Sequence, residues 1–157
     1  HFELMVEAPE ALAAYGKGSF DVITLWHVME HLQDINGTWK RLADMLKERG
    51  VLVVAVPNPV SFDAQHYREM WAAYDVPRHL WHFTPSVMQQ FGAKYDFILT
   101  ERHPMPFDAF YVSMLSEKYR GSRMPFLKGM IKGTEAWFAS LVKKEQSSSM
   151  IYVFRKK

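Results

Sequence analysis

The densest set of reactive side chains in this 157-residue chain is His27-Val28-Met29-Glu30-His31. In a continuous helix the two imidazoles would share one face with the Glu30 carboxylate beside them. That is the H-x-x-E-H arrangement able to hold zinc and activate water for hydrolysis. The context resists it, because His27 leaves a strand-like run directly and the nearest helix start is Asp34. The same side chains suit acid–base work, since imidazole titrates near neutrality, and the string also reads as a polar strand-to-helix turn. A second group, Asp75-Val76-Pro77-Arg78-His79-Leu80-Trp81-His82-Phe83-Thr84-Pro85, forms a long polar and aromatic loop. Arg78, His79 and His82 could meet an anionic or hydroxylated molecule, with Trp71 and Trp81 as an apolar wall. Equally, the aromatics could serve only to tack the loop down. Asn58, between Pro57 and Pro59 at a strand end, is a third candidate, readable also as a turn residue.

These residues need elements to position them. Phe2–Val6 alternates weakly as a short strand, and Gly16-Lys17-Gly18 marks a turn. Phe20–Trp26 is β-branched, aromatic and apolar on both faces, the pattern of a strand between helix layers. Asp34 can cap a helix over about 35–48, in which Ile35, Trp39, Leu42, Met45 and Leu46 recur at helical spacing and Gly50 supplies a left-handed stop. Val51–Val56 is a second buried strand, giving a βαβ unit. Thr84-Pro85 caps a helix running to about Lys94, a strand follows near 97–102, and the last strand covers about 150–154. Between those strands lie two amphipathic stretches. One sets Phe107, Phe110, Tyr111, Met114 and Leu115 on a stripe, the other Leu127, Met130, Ile131, Thr134, Phe138, Leu141 and Val142. The fold class is α/β, with ligand sites expected at the carboxyl ends of the strands.

Composition narrows the function classes. The absence of cysteine excludes disulfides, cysteine nucleophiles, Cys-ligated zinc and iron–sulfur clusters. The longest apolar run, Val51–Val56, is far short of the about 20 residues that cross a bilayer, and no charged-then-apolar leader opens the chain. A cytoplasmic location is expected. The net charge of +2 is unevenly divided: residues 1–117 hold 9 basic and 15 acidic side chains (−6), residues 118–157 hold 10 and 2 (+8). Such a basic tail is either a solvated helix face or a surface for an anionic partner, with membrane-surface contact by 125–144 one expected use. No nucleic-acid partner is expected.

The ordered segments Phe20–Leu32, Leu42–Lys47, Val51–Pro59 and Pro77–Pro85 resemble the second half of a class I S-adenosylmethionine-dependent methyltransferase, in the branch that includes ubiquinone-biosynthesis-like O-methyltransferases. The likeness covers roughly residues 20–100 and says nothing of the substrate. It implies a Rossmann-like sheet, mainly parallel, whose last two strands form an antiparallel pair. It divides the chain into core at 1–104, a helical insertion at 105–147 that covers substrate or meets a partner, and the last core strand at 148–157. S-adenosyl-L-methionine is the implied cofactor, approached by Leu25, Trp26 and His27, with Glu7 toward the adenine by position. A small-molecule, hydroxyl-bearing methyl acceptor is implied, with Asn58, Arg78 and His79 as its binding residues and His27 and His31 as the catalytic pair. Some relatives in quinone biosynthesis hold a divalent metal with a Glu and His cluster at positions comparable to His27, Glu30 and His31; no metal ligand is assigned to this chain.

Two departures stand out. The Lys-Pro-Gly-Gly turn of the family is Lys47-Glu48-Arg49-Gly50, which keeps the glycine. The glycine-rich motif that cradles the cofactor, and the acidic residue that grips its ribose, are absent, and Gly16-Lys17-Gly18 precedes a strand instead of following one. The expectation is therefore a C-terminal fragment with a partial sheet, inactive in isolation. Its exposed edge would be covered by another copy or by residues 1–19. A zinc hydrolase using His27, Glu30 and His31, and a non-catalytic module acting through the basic helix, are the competing expectations.

Overall fold

The computed structural model describes Leu12 and residues 14–157. The expected strand at Phe2–Val6 and the adenine-side Glu7 lie outside the described residues. Four strands form one sheet in the order β1-β2-β4-β3: β1 Phe20–Trp26, β2 Leu46–Pro57, β3 Phe97–Met105 and β4 Ser149–Lys156. β1 pairs parallel with β2, while β4 pairs antiparallel with both β2 and β3. Three strands therefore run one way and β4 alone runs against them, as the resemblance implies.

β1, α1 (Ile35–Met45) and β2 make the βαβ unit. The Asp34 side chain accepts from the Gly37 N–H at 2.8 Å, which starts α1 where the sequence places it. Its end is earlier than expected. Lys47–Gly50 belong to β2 as an irregular first stretch, where the register jumps from Phe20 opposite Leu46 to Val22 opposite Val51. The positive φ falls on Arg49, at 61°, and not on Gly50. Gly50 is needed for space, since a Cβ there would sit 2.9 Å from Leu46 Cδ2 and from the Lys47 carbonyl.

β2 is the buried central strand, with Leu52, Val54, Ala55 and Val56 fully covered. β1 is not enclosed: Val22 and Trp26 are half exposed, because no strand among the described residues pairs with its outer edge. Trp39 of α1 anchors the core, its ring 5.2–5.5 Å from those of Phe91, Phe97 and Phe154 in edge-on contacts, with Nε1–H directed at Met29 Sδ. α3 (Pro85–Lys94), capped by Thr84, reaches this core through Gly92, where any Cβ would collide with the Phe154 ring.

The segment from 60 to 84 is more ordered than a loop. It holds α2 (Phe62–Tyr67) and two single-turn helices, at Arg68–Met70 and Ala72–Tyr74. These form a second core of Ala64, Tyr67, Trp71, Ala72 and Ala73 against Val112. Trp71 is buried there, with Nε1–H donating to Asp63 Oδ2 at 2.7 Å, so it serves as core and not as an exposed wall.

α4 (Asp108–Tyr119) and α5 (Pro125–Val142) lie between β3 and β4 in the chain and pack on each other. The expected apolar stripe of α5 is reversed, and that of α4 is divided: Phe107 and Tyr111 are exposed while Phe110, Met114 and Leu115 are half-buried. The buried faces are small and polar: Ala109, Val112, Ser113 and Ser116 on α4, and Gly129, Gly133, Ala136 and Ser140 on α5. A Cβ on Gly129 would lie 2.5 Å from Met114 Cα, and one on Gly133 2.8 Å from Phe110 Cα. The Gly129-x-x-x-Gly133 spacing thus brings two helix backbones of one chain together, and on α5 the large apolar residues are turned outward.

Candidate active site

A cavity of about 340 Å³ opens at the carboxyl ends of β1 and β2, where the sheet geometry predicts a ligand. His27 and Glu30 form one wall, Asp75, Arg78 and His79 a second, and Asp108 with Tyr111 and Leu115 of α4 a third.

His27 N–H still bonds to the Ala55 carbonyl at 3.0 Å, continuing the β1–β2 ladder, and its φ of 52° then turns the chain sharply away. The stretch that follows is a single turn over Met29–His31, not an α-helix. The zincin geometry therefore does not form, and the two histidines of the pentapeptide find different partners. His27 Nε2 lies 3.3 Å from Asp108 Oδ2 and Nδ1 lies 3.1 Å from Glu30 Oε1. The hydrogen bond to Asp108, then that to Glu30, outweighs the effect of partial burial and raises the imidazole pKa to about 9. Burial alone would raise the Asp108 carboxyl, yet hydrogen bonds from His27 and Ser149 hold it below its ordinary value. At neutral pH His27 is thus an imidazolium clamped between two carboxylates. In that state it offers no lone pair and acts as a charged clamp.

His31 and His79 are arranged differently. His31 Nδ1–H donates to the Arg78 carbonyl at 3.0 Å and His79 Nδ1–H to the Ala73 carbonyl at 2.8 Å. Each bond puts a proton on Nδ1, leaving Nε2 as the second ring nitrogen, which in His79 lies 3.8 Å from Asp75 Oδ2. The two rings meet edge-on with centroids 4.6 Å apart. Glu30, His31 and His79 each bring one donor atom within 4.8 Å of the others, and Glu30 Oε2 is buried without a hydrogen-bond partner. This donor set could hold a divalent cation, with His79 in the place that the sequence pattern assigns to His27.

Of the other expected residues, Arg78 lines the cavity and pairs with Asp75 through Nε at 3.1 Å. Asn58 does not. It is fully buried, and its Nδ2 donates to the carbonyls of Glu145 and Ser147 at 2.7 and 3.0 Å, tying the end of β2 to the entrance of β4. Leu25 packs into the main core, and Trp26 faces outward from the same strand. Trp81 Nε1–H donates to the Leu32 carbonyl at 2.7 Å, and His82 meets the Tyr74 carbonyl at 3.1 Å; both brace the turn and neither lines the cavity. Asp108 and Tyr111 are the residues that sequence reasoning missed. Asp108, in the first turn of an amphipathic helix, looks like a helix-start acid, and only the tertiary fold brings it to His27.

The family model described as "Methyltransferase domain" matches residues 3–101, so the chain belongs to the methyltransferase-domain family. Solved structures agree on the fold. A SAM-dependent methyltransferase from Thermotoga maritima superposes with a TM-score of 0.57 at 14% identity, over 91% of this chain and 59% of that one. A SAM-dependent methyltransferase from Archaeoglobus fulgidus gives 0.54 at 16%, over 98% and 66%. A cyclopropane synthase from Mycobacterium tuberculosis gives 0.51 at 15%, over 92% and 58%. The chain thus spans about three-fifths of the length of these structures. No curated protein sequence matches it.

Proposed function

We propose that the polypeptide carrying this chain transfers a methyl group from S-adenosyl-L-methionine to a hydroxyl of a small molecule held in the cavity between His27, His79 and α4. Family membership supports the cofactor and the reaction type. The observation that carries the acceptor site is the His27–Asp108 contact, which binds the turn after β1 to α4 and so closes a cavity at the carboxyl ends of the strands.

The reaction is an in-line displacement. The acceptor oxygen forms the new O–C bond as the methyl C–S bond breaks, S-adenosylhomocysteine leaves, and the hydroxyl proton goes to His79 Nε2. His79 suits that role because its Nδ1–H is fixed on a backbone carbonyl and its Nε2 stands at the cavity wall 3.8 Å from Asp75 Oδ2, a carboxylate placed to stabilise the imidazolium as the proton arrives. His31 supports the ring edge-on, and the His27 imidazolium positions Glu30 and Asp108. Ala72, Ala73, Val112 and Leu115 give the cavity an apolar side, fitting an acceptor with an apolar body. Holding the two reactants in line is the main contribution to rate. A divalent cation on Glu30, His31 and His79 would occupy His79 Nε2 and would supply Lewis-acid polarisation of the hydroxyl in place of that base. The O-methyltransferase branch is the finer reading, supported by the ordered segments from Phe20 to Pro85.

The test is a panel of hydroxyl-bearing small molecules incubated with methyl-labelled S-adenosylmethionine. Label should enter an ether oxygen of at least one acceptor, and transfer should fall with His79→Gln. Label found only on nitrogen or carbon would overturn the hydroxyl assignment.

A further inference from the structure

The outward face of α5 is unusual for a helix that packs within its own chain. Phe126, Ile131, Phe138, Leu141 and Val142 are between 54% and 91% exposed, while the glycine and serine side of the helix is closed against α4. A continuous apolar surface of this kind marks a docking site. Its surroundings are cationic: Arg123 precedes the helix, Lys128 flanks the apolar arc, and Lys143 and Lys144 follow it, all exposed. From 118 to 144 there are seven basic side chains against one acidic, Glu135.

We propose that this face of α5 docks on an anionic lipid bilayer surface, the helix lying in the interface with its apolar arc inserted and its lysines among the headgroups. Charge chooses this occupant. A second copy related by two-fold symmetry would bring the same lysine-flanked face, with Lys128, Lys143 and Lys144, against itself, a like-charge pairing that a negative surface turns into attraction. Insertion is shallow. No helix among the described residues is long and apolar enough to cross a membrane, and the opposite side of α5 remains locked on α4 through Gly129 and Gly133. Tyr111 and Leu115 of α4 line the cavity, so the docked helix hairpin carries the methyl-acceptor site close to the lipid.

The experiment is co-sedimentation with phosphatidylcholine vesicles carrying about 30% phosphatidylglycerol, against vesicles of phosphatidylcholine alone. Partition should be roughly tenfold or more stronger on the anionic vesicles and should collapse as salt rises from about 0.05 to about 0.5 M. K128E/K143E/K144E should remove the anionic preference, and Ile131→Ser with Leu141→Ser should remove binding. All these residues face solvent, so circular dichroism and Tm should stay as in the parent. Equal partition on both vesicle types, no partition at all, or a charge-reversed variant that binds as the parent does, would each overturn the proposal. A concentration-dependent dimer abolished by Leu141→Ser, with no vesicle binding, would assign the face to a second copy instead. Vesicle binding is read without cofactor or acceptor, so this outcome is independent of the methyl-transfer reading.

Discussion

His27 Nε2 stands 3.3 Å from Asp108 Oδ2, and this contact joins the turn leaving β1 to the first turn of α4 across the mouth of the cavity. It sets a pH window for stability. The folded-state pKa of His27, about 9, lies above the unfolded value of 6.5. Its contribution is therefore complete below 6.5 and is lost as pH rises through about 9. Asp108 acts in the opposite direction: its depressed carboxyl contributes above the ordinary carboxylate range and loses that contribution on acidification. In EDTA, urea midpoints should be flat near pH 6 and fall toward pH 9. Because the His27 side chain is 36% exposed, solvent screening limits the loss to about 1–2 kcal/mol. Glu30 and Asp108 are the charged groups facing His27, and a His27→Gln variant should abolish the alkaline slope. An unchanged slope in that variant would remove the clamp from the account.

His79 and His27 should separate in kinetics. His79→Gln should lower kcat roughly hundredfold or more with little change in Tm, since the general base is lost while the fold is retained. His27→Gln should lower Tm first, and its transfer should fall less than that of His79→Gln. If His27→Gln abolishes transfer while His79→Gln retains it, the base has been misassigned.

Asn58 is a structural lock. Asn58→Ala leaves two carbonyls, of Glu145 and Ser147, without their donor in a buried place. A loss of about 2–4 kcal/mol in urea denaturation is expected, with the acceptor KM of the folded enzyme unchanged. A raised KM with unaltered stability would return Asn58 to the binding site.

Gly129→Ala should destabilise, against the usual gain of about 1 kcal/mol for such a change in a helix. The added methyl meets Met114 backbone at 2.5 Å, and a backbone cannot move aside cheaply. A net loss of about 1–2 kcal/mol is expected in thermal melting. A rise in Tm would show that α4 and α5 are further apart than described.

Much of the frame was legible because it is written in local signals. Asp34 and Thr84 start their helices as their types predict, Val51–Val56 is the buried strand, and 97–102 and 150–154 fall inside an antiparallel pair. The α5 stripe misled because periodicity locates a stripe without saying which side it faces. On α5 the close backbone contact permitted by Gly129 and Gly133 outweighed the burial of Phe138 and Leu141. The site was half legible. The string from His27 to His31 drew attention to the right place, and only the fold shows that Asp108 captures His27 while His79 joins Glu30 and His31. Such partners, far apart in sequence, carry no local spacing that could announce them.

The most direct measurement of the central claim is thermal unfolding of the natural polypeptide that carries these residues, with and without S-adenosylhomocysteine. A ligand that binds only the folded state raises Tm with concentration, by about 2.7 kcal/mol of added stability at a hundred times its Kd. The account predicts that rise, together with transfer of label from S-adenosylmethionine to a hydroxyl acceptor. No shift in Tm at millimolar S-adenosylhomocysteine, and no transfer, would contradict it.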